Sequence, residues 1–229
     1  MLRPKHKISR REMKEDALVT TYAQVTSFYE RHRRTIQYGV LAAAGLIILA
    51  VVLANNRSSG NEKAMTALGK VYPLYDAGQF QQAVDGVPER NIQGLASIVD
   101  NYGSTPSGEL ARFYLAGCYF QLGRYDEALE HFEDCSPEGD FLEASRLAGM
   151  GACREARGEH AEAASLFEKA SGLDRKAAAA PENLFHAARN LGLAGEKERA
   201  IELYTRLKKE YPASVYAREV DRAIAGLSV

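Results

Sequence analysis

The sequence predicts an all-α protein in which one membrane-spanning helix precedes a superhelix of about four helical hairpins and a C-terminal capping helix. Three observations carry that prediction. Residues 36–54 hold no charged side chain. After them, a Gly and an Ala recur in fixed register four times. The net charge of −1 over 229 residues conceals a split. Residues 1–35 carry nine Lys/Arg and four Asp/Glu, a net +5, whereas residues 55–229 carry 20 Lys/Arg and 26 Asp/Glu, a net −6. A basic head, a neutral segment and an acidic body disfavour a plain cytosolic enzyme. They equally disfavour a nucleic-acid binder with a basic body.

Four stretches follow in chain order: 1–35, 36–54, 55–61 and 62–229. Residues 1–11 read as a solvated tail. Between Glu12 and Thr35, the positions Leu18, Tyr22, Val25, Tyr29 and His32, with Ile36 beyond, recur at helical spacing on one face. Two readings fit this segment. It is an amphipathic helix on the inner leaflet or against a membrane partner, or it is a continuous extension of the membrane helix. Arg31, Arg33 and Arg34 stand where anionic headgroups would attract them. Next comes IQYGVLAAAGLIILAVVLA, residues 36–54. As a helix it spans about 28 Å, one bilayer core. A helix apolar all round must be buried in something. The flanks choose a bilayer over a protein core: three Arg stand directly before it, and only Arg57 and Lys63 follow closely. Positive residues stay cytoplasmic, so the acidic body is expected outside. Val52-Leu53-Ala54 loosely resembles a signal-peptidase site, but about 35 residues precede the apolar run, which reads as an uncleaved anchor. No Cys follows directly, against a lipid anchor. Asn55 to Gly60 reads as a short polar linker.

The acidic body repeats. Ala-Gly-Gln-Phe-Gln-Gln-Ala (77–83), Leu-Gly-Arg-Tyr-Asp-Glu-Ala (122–128), Arg-Gly-Glu-His-Ala-Glu-Ala (157–163) and Ala-Gly-Glu-Lys-Glu-Arg-Ala (194–200) share Gly second and Ala seventh. The glycines Gly78, Gly123, Gly158 and Gly195 are 45, 35 and 37 residues apart. A Gly here ends the first helix of a hairpin in a left-handed conformation. The Ala lets the second helix approach the first. A bulky residue four later lies on the same face: Phe132, Phe167 and Tyr204, with Val87 in the first unit. Between Gly86 and Gly108 an insertion carries a short helix around Leu95–Val99. Pro212 ends the last unit, and a helix from Ser214 to about Leu227 caps the stack.

These residues resemble the tetratricopeptide repeat, whose pattern is aromatic-x-x-Leu-Gly-x-x-Tyr, then Ala-x-x-x-Phe, then Pro. The 109–135 unit matches best, with Arg112 in place of the usual Trp and Ala116 in place of Gly. The units 144–174, with Arg154 where Tyr is usual, and 181–212 also match, and 62–87 is degenerate. The fold class is therefore a tetratricopeptide-repeat superhelix behind a membrane anchor. The whole order, with Phe28-Tyr29-Glu30 before a basic cluster and Gly108-Glu109-Leu110-Ala111-Arg112-Phe113-Tyr114-Leu115 opening a repeat, resembles the bacterial YfgM family. Members of that family are ancillary subunits of the SecYEG translocon. The longer basic N-terminus departs from the family pattern. The resemblance implies a single-pass inner-membrane protein with a periplasmic body, linking secreted or inserting chains to periplasmic chaperones. An adaptor of another envelope machine, in division, cell-wall synthesis or outer-membrane assembly, fits the repeat equally, since fold does not decide partner.

No catalytic constellation is predicted. His6, His32, His131, His160 and His186 form no ligand spacing, and His131 and His160 fall on solvent-leaning positions. There is no phosphate-binding Gly-rich loop and no Gly-x-Ser-x-Gly. No cofactor, metal, nucleic acid or small-molecule substrate is expected. Cys118, Cys135 and Cys153 read as small packing residues. A Cys118–Cys135 bridge across one hairpin stays open as an alternative. The expected partners are proteins: translocon subunits, chaperones or substrate polypeptides. In such a stack the first helices line a groove. Counting back from each Gly gives Leu68, Tyr72, Tyr75, Phe113, Gly117, Phe120, Gln121, Phe185 and Arg189. This aromatic-rich set suits an apolar extended or helical peptide. A basic clamp for a peptide carboxylate is not expected, because only Arg189 supplies charge.

Overall fold

The computed structural model describes residues 10–173, 175 and 177–227, without the side chains of 10–21, 23–25 and 36. Most of the tail 1–11, and the side chains of Leu18, Val25 and Ile36, lie outside the described residues. The chain divides into two compact units, Met1–Asn56 and Arg57–Val229.

In the first unit the described residues form one helix, the opening part of α1 (Arg10–Asp76). The described part of the head is helical and runs on into the apolar segment without a break. Among the described residues this is the one helix long and apolar enough to cross a membrane, with a mean hydropathy of 2.2 and none of the apolar window buried.

The expected linker at 55–61 is helical too. Asn and Ser are indifferent helix formers, so tertiary contacts supply the reason. Asn61 Oδ1 accepts the Ser107 N–H at 2.8 Å. Gly60 lies against Thr105 and Tyr102. The body therefore begins inside α1, at Arg57, and residues 57–76 serve as the first helix of the first hairpin. Their stripe Ala64, Leu68, Val71 and Leu74 is buried.

The remaining elements are α2 (Phe80–Asp85), α3 (Leu95–Tyr102), α4 (Pro106–Gln121), α5 (Tyr125–Glu133), α6 (Asp140–Ala156), α7 (His160–Leu173), α8 (Ala180–Leu193), α9 (Lys197–Glu210) and α10 (Val215–Leu227). They make the four expected hairpins, α1/α2, α4/α5, α6/α7 and α8/α9, with α10 as the cap. All four hairpin glycines have positive φ, between 72° and 85°. In each, the residue after Gly donates to the carbonyl five back: Gln79 to Leu74, Arg124 to Tyr119, Glu159 to Arg154 and Glu196 to Leu191, all at 2.9 Å. That is the same C-terminal cap built four times. The paired alanines Ala83, Ala128, Ala163 and Ala200 are all 0% exposed, as the close approach of the second helix requires.

The insertion holds a surprise. Gly86, at φ 85°, stops α2 after six residues, so Val87 is not the helical counterpart of Phe132. Val87 instead opens a two-residue antiparallel ladder, β1 (Gly86–Val87) against β2 (Ile92–Gln93), around a 3-10 turn at Pro88–Arg90. The core follows the stack. One cluster joins α1, α2, α3 and α4, and another joins α7, α8, α9 and α10. Between them Ala116, Ala128, Leu129, Phe132 and Cys153 tie α4 and α5 to α6.

Candidate functional site

The first helices of hairpins two, three and four bound an open hollow of about 610 Å³. Tyr75, at the end of α1, also reaches it. Five of the nine expected groove residues line it: Tyr75, Gly117, Phe120, Gln121 and Arg189. Gly117 belongs there by shape, since a Cβ at that position would lie 3.1 Å from the Tyr75 hydroxyl. The other four do not line it. Leu68 is 8% exposed and sits in the core stripe of α1, one turn from Val71, so its face is turned inward. Tyr72 is exposed but packs edge-on to Tyr114 at 5.4 Å. Phe113 is taken up by Phe132 at 5.8 Å. Phe185 is held between Tyr204 and Tyr216, at 5.5 Å from each.

Sequence reasoning missed the floor of the hollow, which is α6. Phe141, Ala144, Ser145, Ala148, Gly149 and Ala152 line it, with Glu155 and Ala156 at the far end. The signal was present. The offsets that select Phe113, Gly117, Phe120 and Gln121 from Gly123 select Ala148, Ala152, Glu155 and Ala156 from Gly158. Small side chains gave the eye nothing to mark. Two glycines let the hairpins interlock here: a Cβ at Gly149 would stand 2.5 Å from the Phe132 ring, and one at Gly151 would stand 3.1 Å from Phe167.

The α8 wall carries the polar chemistry. Arg189 Nη2 donates to Glu155 Oε1 at 2.5 Å, and Asn190 Nδ2 to Glu155 Oε2 at 2.7 Å. The Asn190 carboxamide, 0% exposed, also meets His160 Nδ1 at 2.9 Å. Burial pushes the Glu155 carboxyl upward, but the Arg189 and Asn190 hydrogen bonds outweigh it and hold it below the usual carboxylate range. Arg189 is thus an internal tie between α6 and α8 rather than a free cation. His186 stacks on Phe167 at 5.2 Å. Burial first, and Arg189 second, lower its pKa, so its neutral form is favoured.

His131 is half-buried against Tyr119 at 5.3 Å, and His160 is tied to Asn190. Neither leans into solvent as the sequence suggested, because hairpin stacking covers both. Among the described residues no group of three or more His, Cys, Asp or Glu is placed to hold a metal. All three Cys are buried free thiols. Cys135 Sγ lies 3.5 Å from the Glu109 carbonyl in the first turn of α4. Cys118 is nine residues further along that helix, about 13 Å of rise, so the hairpin holds them apart. Burial pushes the Cys118 and Cys135 thiols up to about 12 and that of Cys153 to about 11.

Residues 110–136 and 182–214 match the tetratricopeptide repeat family model. No curated protein matches the chain. Among solved structures the chain is similar to nearly identical TPR-like repeats from Podosopora anserina, in a protein named as a kinesin light chain. The identity is 16%, covering 73% of this chain and 85% of that one, with a TM-score of 0.57. A second crystal structure of those repeats gives 18% identity, 73% and 96% coverage and a TM-score of 0.49. The likeness is one of fold. The body is an all-α tetratricopeptide-like repeat, and the role such repeats imply is that of a protein-interaction scaffold.

Proposed function

We propose that the chain is a single-pass protein of the bacterial inner membrane whose repeat body, in the periplasm, is a non-enzymatic docking scaffold. The observation that carries this reading is the exposure of the apolar run. Tyr38, Leu41, Leu46 and Ile48 are 65–70% exposed, on a helix that water would not tolerate bare. A bilayer covers such a surface, and the +5 head and −6 body orient it with the N-terminus inside. The hollow floored by α6 is the docking surface, and its apolar lining suits a polypeptide partner.

The resemblance to the YfgM family supplies the machine: an accessory of the Sec translocon that passes emerging chains to periplasmic chaperones. The test is photo-crosslinking in intact membranes from position 120, at the hollow. Capture of translocon subunits, chaperones or nascent secreted chains is the expected result. Consistent capture of division, wall-synthesis or outer-membrane assembly proteins instead would transfer the scaffold to another envelope machine.

A further inference from the structure

Before the apolar run, the face Leu18, Tyr22, Val25, Tyr29, His32 and Ile36 steps by four and three without a slip. The same step runs on through Gly39, Ala43, Leu46, Ala50 and Leu53, and α1 is helical across all of it. The next positions in that register are Glu15 and Arg57, so charge closes the seam at both ends. The result is a seven-residue repeat sustained from residue 18 to residue 53, about 53 Å of helix. On a straight α-helix such a strict 3.5-residue period drifts by about 20° per heptad, roughly 100° over this length. A flat surface cannot follow that drift. A second helix with the same repeat follows it by supercoiling.

The side chains of the head agree. Tyr22, Phe28 and Tyr29 are 73%, 60% and 47% exposed, so the described chain leaves them largely bare. Glu30, Arg31 and Arg34 fall on the opposite side of the helix, and Arg33 falls on a flank of the seam. In a parallel pair that flank brings Arg33 to Phe28 of the second copy, a guanidinium against a ring. His32 is the polar member of the seam. Its Nδ1 lies 3.1 Å from the Phe28 carbonyl, which leaves Nε2 to face its counterpart. One polar pair at such a position fixes the register of two strands.

Inside the apolar run hydropathy marks no face, and size takes over. Gly39, Ala43 and Ala50 stand on the seam. Gly weakens a helix, and Gly39 has nothing within 4 Å of its would-be Cβ, so its own chain does not call for a Gly there. Helices in lipid gain from the close packing that small residues permit. Small residues alone fit many neighbours, and the aromatic seam of the head selects among them. Chains inserted in one orientation lie parallel. A second copy then matches the repeat, its length and its charged ends at every position.

We propose that residues 18–53 form a parallel two-stranded coiled coil with a second copy of this chain. The pairing rests on the membrane anchor of the proposed function, which sets both copies parallel. The test uses the full chain in vesicles of phosphatidylethanolamine and phosphatidylglycerol, with lipid in large excess and a carbonate wash before readout. A photo-crosslinking residue stands singly at position 22 or 29, on the seam, or at 27 or 34, on the opposite side.

Positions 22 and 29 should give a product of twice the chain's mass in at least fivefold higher yield than 27 and 34. Gly39→Ile should lower the yield from position 29 at least fivefold. Gly45→Ile makes the same exchange off the seam, where a Cβ also meets nothing within 4 Å, and should change the yield less than twofold. Equal yields from all four positions would reveal random collision and refute the pair. Equal effects of the two Gly exchanges would refute the register. Crosslinks from 22 and 29 to lipid alone would lay the head on the bilayer surface and overturn the inference. A chain that stays in the washed vesicles without a doubled product sinks the pair and spares the anchor, whereas a chain that washes off sinks both.

Discussion

At the scale of single residues, glycines do opposite work in this fold. Gly149 sits where a Cβ would press to 2.5–2.9 Å of the Phe132 ring, and that ring is itself buried. The ring has little room to move, so Gly149→Ala should cost about 1–3 kcal/mol as overpacking. Gly69, within α1, has nothing within 4 Å of its would-be Cβ. Gly69→Ala should instead gain about 0.5–1 kcal/mol from helix propensity alone. Thermal unfolding of the two variants should therefore move in opposite directions. Equal effects would mean that the Phe132 contact does not constrain the seam. The histidines predict a pH dependence of a definite sign. Burial lowers the folded-state pKa of His186 and of His131 below the ordinary value. The unfolded chain then binds more protons as pH falls. The stability contributed by the neutral rings is complete above about pH 6.5 and is lost as pH drops from there through the folded-state pKa. His186→Phe keeps a ring on Phe167 and removes the titration. Its melting temperature should fall less between pH 7.5 and 5.5 than that of the unchanged protein. Parallel curves would exonerate His186.

At the scale of elements, the stack is held by seams between hairpins and closed by a cap. Helix α10 lays Ala217 and Val220 into the cluster of α7, α8 and α9, with Tyr216 and Leu227 packed beside them. Val220 is 1% exposed. Val220→Ala should lose about 2 kcal/mol through lost burial and a residual cavity. Arg218→Ala, on the exposed face of the same helix, should stay within about 0.5 kcal/mol. Denaturant unfolding of the two measures whether α10 is a working cap or a frayed end. These elements also mark what was legible beforehand. The Gly–Ala register disclosed every hairpin, because one backbone need, a left-handed cap, admits few residue types. The ladder at Gly86–Gln93 was not legible. A two-residue strand has no period to read, and only the long-range pairing of Val87 with Ile92 creates it. The groove was half legible, for two reasons. Aromatic residues at the right offsets were spent on seams, as Phe113 on Phe132 and Phe185 on Tyr204. The true floor was written in Ala, Ser and Gly, which announce themselves only by what they leave empty.

At the scale of the whole molecule, the charge split makes a claim about topology that local packing does not. A soluble fold has no reason to segregate nine basic residues before an uncharged run and 26 acidic residues after it. A membrane has one, because Lys and Arg resist translocation and Asp and Glu contribute little to orientation. Protease added to spheroplasts carrying the full chain should therefore digest the body, residues 62–229, and leave a fragment holding the basic head. Intact cells, with the outer membrane closed, should protect both. The compact repeats will resist cleavage in proportion to their stability, so an early cut is expected in an exposed turn such as Pro137–Gly139, between α5 and α6. Moving Arg31, Arg33 and Arg34 from before the apolar run to positions just after Ala54 should invert a measurable fraction of molecules and shield their bodies from the same protease. A body protected in the unaltered chain would overturn the N-inside topology, and with it any role for the α6 groove in meeting chains on the periplasmic side.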